Sequence, residues 1–139
     1  MGYDFSFLRF KNKPNSFPFS PDKEFKFLEE IKDVLSPKEI VKHLESKDGF
    51  IPNGKNDDGV VWYWWNTPDG GNLDIQIRPD CTAIFVDTHA HWAYVLELLK
   101  YLQLIMDDLL VLDNQTMLIY NKEAYRDFIE RMQNETKNT

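Results

Sequence analysis

The sequence predicts an α+β fold in a single domain, with a mainly antiparallel sheet and helices packed on one face of it. Three observations lead to this prediction. The chain has 139 residues, a length that suits one domain with a core of modest size. Several short stretches alternate between apolar and polar residues, which is typical of strands. Other stretches repeat their apolar residues at helical spacing, and short turns join neighbouring strand-like stretches.

Four stretches have the pattern of strands, at 3–10, 60–66, 72–78 and 81–87. The turns between the last three contain proline, glycine and aspartate, which favour tight reversals of the chain. In the stretch 72–78, apolar residues alternate strictly with polar or charged ones. We therefore expect one side of the sheet to face solvent.

Four further stretches have the apolar spacing of helices: one that follows Ser20 and runs to Leu35, one that follows Ser36, one at 91–109, and one that follows Asn121. Ser20 and Ser36 are each followed by proline, an order that suits an N-cap and the first helical position. The stretch 109–120 is typical of a hairpin. The predicted order is β-αα-β-β-β-α-β-β-α over residues 1–132, and the polar residues 133–139 are expected to form a frayed tail.

The charge of the chain argues against one class of partner and favours another. The net charge is −7, and from Pro79 to Asp113 the only basic residue is Lys100. Nucleic-acid binding needs Lys and Arg to neutralise phosphates, so we expect no nucleic-acid partner. An acidic surface instead favours a basic protein.

The cysteine content and hydropathy indicate the compartment that we expect. Cys81 is the only cysteine, so no disulfide can form within the chain, which suits a reducing cytosol. No apolar run approaches the length of a membrane span, and the N-terminus lacks the pattern of a signal peptide. We therefore expect a cytoplasmic protein with no membrane partner and no cofactor.

The stretch FVDTHAHW, at 85–92, has two interpretations. If the strand continued to His91, then Asp87, His89 and His91 would share a face and provide three ligands for a metal such as zinc. If the chain turns by residue 88, Asp87 or Thr88 caps the following helix and the histidines diverge. We favour the capped turn and expect no metal site, because the helical pattern already begins at Trp92.

The same stretch is similar, in the letters VDTHAH, to the first-strand motif of the amidohydrolase and related metal-dependent deoxyribonuclease superfamily. That resemblance would imply a barrel enzyme with further histidines on later strands. The sequence contains no histidine after His91, and a chain of 139 residues is shorter than such a barrel requires. We therefore expect a protein that is not an enzyme.

The stretch WYWW, at 62–65, places large aromatic residues on both faces of one strand. One pair can fill the core, and the other then lies on the opposite face. That second pair either contacts a partner or is covered by a loop such as 11–21, which is rich in phenylalanine and proline. As partner anchors the sequence suggests Tyr63 and Trp65.

The opening GYDFSF and the closing LLVLDNQTMLIYNKEAYRDFIERM resemble small bacterial proteins found with contact-dependent and polymorphic toxin systems. The chain is also similar in size, acidity and lack of disulfides to the immunity proteins of those systems. The resemblance implies a protein that neutralises a cognate toxin, often a basic nuclease, by covering its active site or an essential surface. The acidic residues expected to contact the toxin are Asp87, Glu97, Asp107, Asp108 and Asp113.

Two alternatives remain open from the sequence. The first is a small metal-dependent hydrolase that uses the stretch from Asp87 to His91. The second is a homodimer formed through the broad apolar face of the helix at 91–109, which is compatible with binding a toxin.

Overall fold

The computed structural model describes residues 2–137, with side chains described for residues 2–135. These residues form one domain with an eight-stranded antiparallel sheet and four helices, so the predicted α+β class is confirmed. The strands are β1 (Tyr3–Phe10), β2 (Ile31–Lys32), β3 (Phe50–Lys55), β4 (Val61–Asn66), β5 (Asn72–Ile77), β6 (Ile84–Thr88), β7 (Leu110–Asp113) and β8 (Ile119–Tyr120). The helices are α1 (Phe27–Glu30), α2 (Pro37–Glu45), α3 (Ala93–Gln103) and α4 (Lys122–Lys137).

The first strand lies in the middle of the sheet. The order is β3-β4-β5-β6-β1-β7-β8, and β2 pairs with the end of β1. Strands β3 to β6 follow one another as a meander, and β1 then joins β6 to the later hairpin of β7 and β8. Because β1 has a neighbour on each side, its backbone groups are paired without an exposed edge.

Helices cover the inner face of the sheet and form the main core with it. Alternate residues of the strands point to this face, so a strict period of two in β5 buries Leu73, Ile75 and Ile77 completely. Helix α3 contributes five buried residues, and α2 and α4 pack beside it. The predicted N-cap Ser36 is confirmed at the start of α2, where Glu39 completes a capping box with it, and Asn121 caps α4 by accepting a hydrogen bond from the amide of Ala124.

Two predicted elements differ from the structure. The helix expected from Ser20 to Leu35 is reduced to the four residues of α1, after which the chain extends as β2 and pairs with β1. Strand β3 lies between the predicted helix after Ser36 and the predicted strand at 60–66, where no strand was expected. It is an edge strand with a bulge between Pro52 and Gly54, features that keep such an edge from pairing further.

Smaller differences concern the last two helices. Helix α3 ends at Gln103, before the predicted end at 109, and the chain then turns into β7. Helix α4 continues to Lys137, into the segment expected to fray, and Asn138 and Thr139 lie outside the described residues. None of the helices in the described residues has the length and apolar character needed to cross a membrane.

The outer face of the sheet divides into two halves. The covered half lies over β1, β7 and β8, where phenylalanines of the segment 17–27 pack on it. Its members form a second apolar cluster: Leu8, Phe10, Phe17, Phe19, Phe25, Phe27, Ala83, Leu110, Leu112 and Ile119. The open half lies over β4, β5, β6 and the start of β1, and the segment 17–27 does not reach it. Its members are Asp4, Trp62, Trp64, Asp74, Gln76 and Asp87, with Phe85 at the border between the halves.

Candidate functional site on the open half of the sheet

The open half consists of the residues that alternate with the core residues of the same strands. In β4, Tyr63 points into the core, so Trp62 and Trp64 point outward. In β5 and β6, the outward positions include Asp74 and Asp87. The same alternation that fills the core therefore places aromatic and acidic side chains together on the other face.

Three aspartates form a row across this face. Asp74 of β5 lies directly opposite Asp87 of β6, and Asp87 lies directly opposite Asp4 of β1. Trp64 continues the row on β4 as the register partner of Asp74. Like charges directly opposite each other on neighbouring strands destabilise a sheet, so this row has a cost in the isolated protein.

The electrostatics of the row reflect that crowding. Partial burial raises the pKa of Asp4, and the charge of Asp87 and a hydrogen bond with it raise this pKa further. Partial burial also raises the pKa of Asp74, while the nearby His89 and the charge of Asp87 act in opposite directions. Both carboxyl groups therefore hold their protons more tightly than they would in an extended chain.

His89 contacts two carboxylates of this row. Its Nε2 lies 3.0 Å from Oδ2 of Asp87 and 3.7 Å from Oδ2 of Asp74. Of the described residues, it is the only one that forms an ion pair with these carboxylates. The backbone of Gly2 passes close beside them, and a Cβ at this position would overlap the Asp87 carboxylate. Glycine at position 2 thus allows the chain to pack against the row.

The row borders a shallow cleft of about 480 Å³. Trp62 and Phe85 provide aromatic surface in it, and Gln76, Asn53 and Asn114 provide neutral polar groups. Trp64 lies beside the row and is 41% exposed. Aromatic rings and carboxylates both attract cations, the rings through their faces and the carboxylates through their charge. The open half is therefore suited to bind Lys or Arg side chains, or a metal ion.

Of the acidic residues singled out in the sequence, only Asp87 lies on the open half. Glu97 is exposed on α3, and Asp107 is exposed in the loop that follows it. Asp108 pairs with Arg9, whose Nε lies 2.8 Å from its Oδ1, and with Lys32 at 3.3 Å. The structure does not bring these residues together with Asp87.

Asp113 is buried and has a role within the fold. Its side chain is 2% exposed and accepts a hydrogen bond of 2.6 Å from the hydroxyl of Tyr3. It also accepts hydrogen bonds from the amides of Gln115 and Thr116, which shape the turn between β7 and β8. A side chain in this position cannot contact a partner, so Asp113 is removed from the predicted surface.

The predicted aromatic anchors lie on the other face of β4. Tyr63 is 3% exposed, and its hydroxyl donates to a carboxylate oxygen of Glu45 at 2.7 Å, an environment in which burial raises its pKa to about 12. Trp65 packs against Phe50 and Tyr94 on the helix side. The outward pair is therefore Trp62 and Trp64, because Tyr63 and Trp65 fill the inner face.

The three residues proposed as metal ligands do not meet. Asp87 and His89 are in contact, but His91 turns away, and its Nδ1 accepts a hydrogen bond from the amide of Ala93. Asp74 takes the third position instead. Its outward direction was evident in the alternation of β5, but its proximity to Asp87 depends on the register of two strands, which the sequence did not reveal.

Neither Asp87 nor Thr88 caps α3, in contrast to the prediction. The helix begins at Ala93, and Thr88 ends β6 with its hydroxyl oxygen buried and without a hydrogen-bond partner. The carboxylate of Asp69, from the turn before β5, instead accepts a hydrogen bond from the amide of His91. Hydrogen bonds from Thr67 and from that amide lower the pKa of Asp69.

The apolar face of α3 that suggested a dimer contact is buried in the protein's own core.

Comparisons of the chain with protein-family models, with curated proteins and with solved structures gave no significant match.

Proposed function

We propose that this protein binds a basic protein through the open half of its sheet and inhibits it, in the manner of an immunity protein that neutralises a cognate toxin. One observation supports the proposal above the others. Three carboxylates stand side by side on an aromatic surface, and among the described residues His89 is the ion-pair partner of two of them, Asp74 and Asp87. A row of like charges is unfavourable alone and becomes favourable when a partner supplies opposite charge.

The neighbouring tryptophans support the same proposal. Tryptophan is enriched among the residues that dominate binding energy, and exposed aromatic surface beside charged groups is typical of interfaces. Trp64 is exposed opposite Ile51, which is itself 45% exposed on β3. These two side chains extend an apolar patch from the edge of the cleft, where a partner's apolar residues would pack.

The charge of the whole chain supports the choice of partner. The net charge of −7 attracts basic proteins over long distances and speeds their encounter. The carboxylates of the open half then contact Lys or Arg side chains at short range. Inhibition follows if the partner uses those same Lys or Arg residues on its own substrate, as a nuclease does with phosphates.

The test is a pull-down from the native host with three tagged proteins, followed by mass spectrometry and an inhibition assay. The proteins are the wild type, Asp4→Lys, and Asp107→Lys, which makes the same charge change on the acidic surface first suggested by the sequence. Asp4 is exposed, and a lysine there would face Asp87, so the fold should persist. We expect the wild type and Asp107→Lys to retain a basic protein in roughly equal amounts and to inhibit its activity, and Asp4→Lys to lose both.

The contrary outcomes are equally specific. Loss of the partner in Asp107→Lys but not in Asp4→Lys would move the interface to the loop after α3. Equal retention by all three proteins, or a partner that is not inhibited, would refute the proposal. A Trp64→Ala variant provides a further check, since it removes apolar contact without changing any charge.

A further inference from the structure

The contact between His89 and two aspartates has the chemistry of a metal centre. Asp74 and Asp87 face each other on adjacent strands, and His89 follows Asp87 at the next alternate position, one residue beyond the end of β6. The amide of His89 donates to the carbonyl of Asn72 at 2.8 Å, which continues the strand pairing by one residue. That continuation keeps the imidazole on the same face as the two carboxylates.

The distances between the three side chains are close to those of ligands around one zinc ion. Zinc binds His nitrogen and Asp oxygen at about 2.0–2.1 Å in a tetrahedral arrangement, which separates neighbouring ligand atoms by about 3.3 Å. Nε2 of His89 lies 3.0 Å and 3.7 Å from the two carboxylates, and all three ligand atoms lie within 4.8 Å of one another. The two His89 distances are within a few tenths of an ångström of that spacing, and the two carboxylate oxygens would approach each other by up to about 1.5 Å to bind the ion.

Neighbouring groups already orient the ligands. The side-chain Nδ2 of Asn72 donates to Oδ1 of Asp74 at 2.9 Å, and Oδ2 is the oxygen that faces His89. Asp4 lies directly opposite Asp87 on the other neighbouring strand. Such outer contacts fix the orientation of ligands in known metal sites and contribute to their affinity.

We propose that Asp74, Asp87 and His89 bind one Zn²⁺ ion, with water in the fourth position on the side of the cleft. The mixed nitrogen and oxygen ligands favour zinc over calcium or magnesium, which prefer oxygen ligands throughout. The proposal goes beyond partner binding, because it depends on these three side chains whichever protein binds the open half. The competing state is the contact of His89 with the two carboxylates without a metal.

The experiment is a calorimetric titration of the purified full-length protein with Zn²⁺, alone and in four variants. His89→Ala, Asp74→Asn and Asp87→Asn each remove a ligand. His91→Ala removes the other histidine of the same stretch, which lies outside the three, and is the matched control. We expect one Zn²⁺ per chain in the wild type and in His91→Ala, and affinity at least about 10-fold weaker in the other three.

A second measurement separates metal binding from a loss of structure. In ¹⁵N NMR spectra, the chemical shifts of the His89 ring nitrogens should change when one equivalent of Zn²⁺ is added. The chemical shifts of the His43 and His91 ring nitrogens should stay the same. Circular dichroism checks the fold of each variant, and His89 is exposed, so its replacement should leave the core intact. Wild-type affinity no better than that of His89→Ala, or an equal loss in His91→Ala, would overturn the proposal.

Discussion

The two halves of the outer sheet face differ in what covers their side chains. Over the covered half, the segment 17–27 supplies phenylalanines that pack edge to face, with Phe10 in contact with Phe25 and Phe27. Over the open half, the strands present carboxylates and tryptophans to solvent, and the loop stops short of them. The chain itself therefore covers one half of this face and leaves the other half exposed to solvent.

This difference suggests that the covered half stabilises the fold and that the open half serves the proposed binding. Aromatic contacts in the covered half bury apolar surface and stabilise the fold. The row of aspartates in the open half raises carboxyl pKa values and opposes the fold slightly. Residues that reduce stability in this way are commonly retained for binding, so substitutions in the two halves should have opposite consequences.

The largest effect is expected from Phe10→Ala in the covered half. Phe10 is 6% exposed and contacts two rings of the covering segment, so its removal leaves a cavity. The free energy of unfolding should fall by about 3 kcal/mol, measured by urea denaturation. Partner binding by the fraction that remains folded should be unchanged. A loss below about 1 kcal/mol would mean that the segment does not pack on the sheet in solution.

A smaller loss is expected from Asp113→Ala. The buried carboxylate accepts hydrogen bonds from Tyr3, Gln115 and Thr116, and its removal leaves these donors without it. The free energy of unfolding should fall by about 2 kcal/mol, with no effect on partner binding in the folded protein. If Asp113→Ala instead weakened partner binding and left stability intact, the residue would belong to the surface after all.

The fold could be predicted from the sequence where local patterns and packing agree. Strand β5 alternates strictly, and α2 has its complete capping box, so both were predicted. The helix expected after Ser20 failed because Phe25 and Phe27 are drawn into the covered half by tertiary contacts.

The candidate site was less accessible to sequence reasoning. The stretch from Asp87 to His91 drew attention to two of its members, Asp87 and His89. Asp4 and Asp74 join them through strand pairings between distant parts of the chain. Local periodicity gives the face of each residue but not the register of its strand, so the row of carboxylates could not be derived from the sequence.

Neighbouring tryptophans of β4 provide an internal test of which face is which. Trp65→Ala removes packing against Phe50 and Tyr94 and should cost about 2 kcal/mol of stability. Trp64→Ala should cost less than about 1 kcal/mol, because this side chain is largely in solvent, yet it should weaken partner binding. Urea denaturation and binding assays on the two variants measure both effects. Equal stability losses would contradict the assignment of faces.

The smallest effect is expected from Asp4→Asn, and its sign depends on pH. Burial and the neighbouring Asp87 raise the pKa of Asp4 in the folded protein, so the folded state holds this proton more tightly than the unfolded chain does. Ionisation of Asp4 therefore lowers stability as pH rises through the folded-state pKa. At pH 7 Asp4→Asn should be more stable than the wild type, by no more than about 0.5 kcal/mol because water screens this exposed group. Below the ordinary pKa of aspartate, about 3.9, both states are protonated and the gain should disappear. Urea denaturation at pH 7 and near pH 3, with the exposed Asp107→Asn as control, measures the difference. A gain in stability that persisted at the lower pH, or a loss of stability at pH 7, would show that the charge of Asp4 does not destabilise the fold. The open half would then differ from the covered half in composition but not in its contribution to stability.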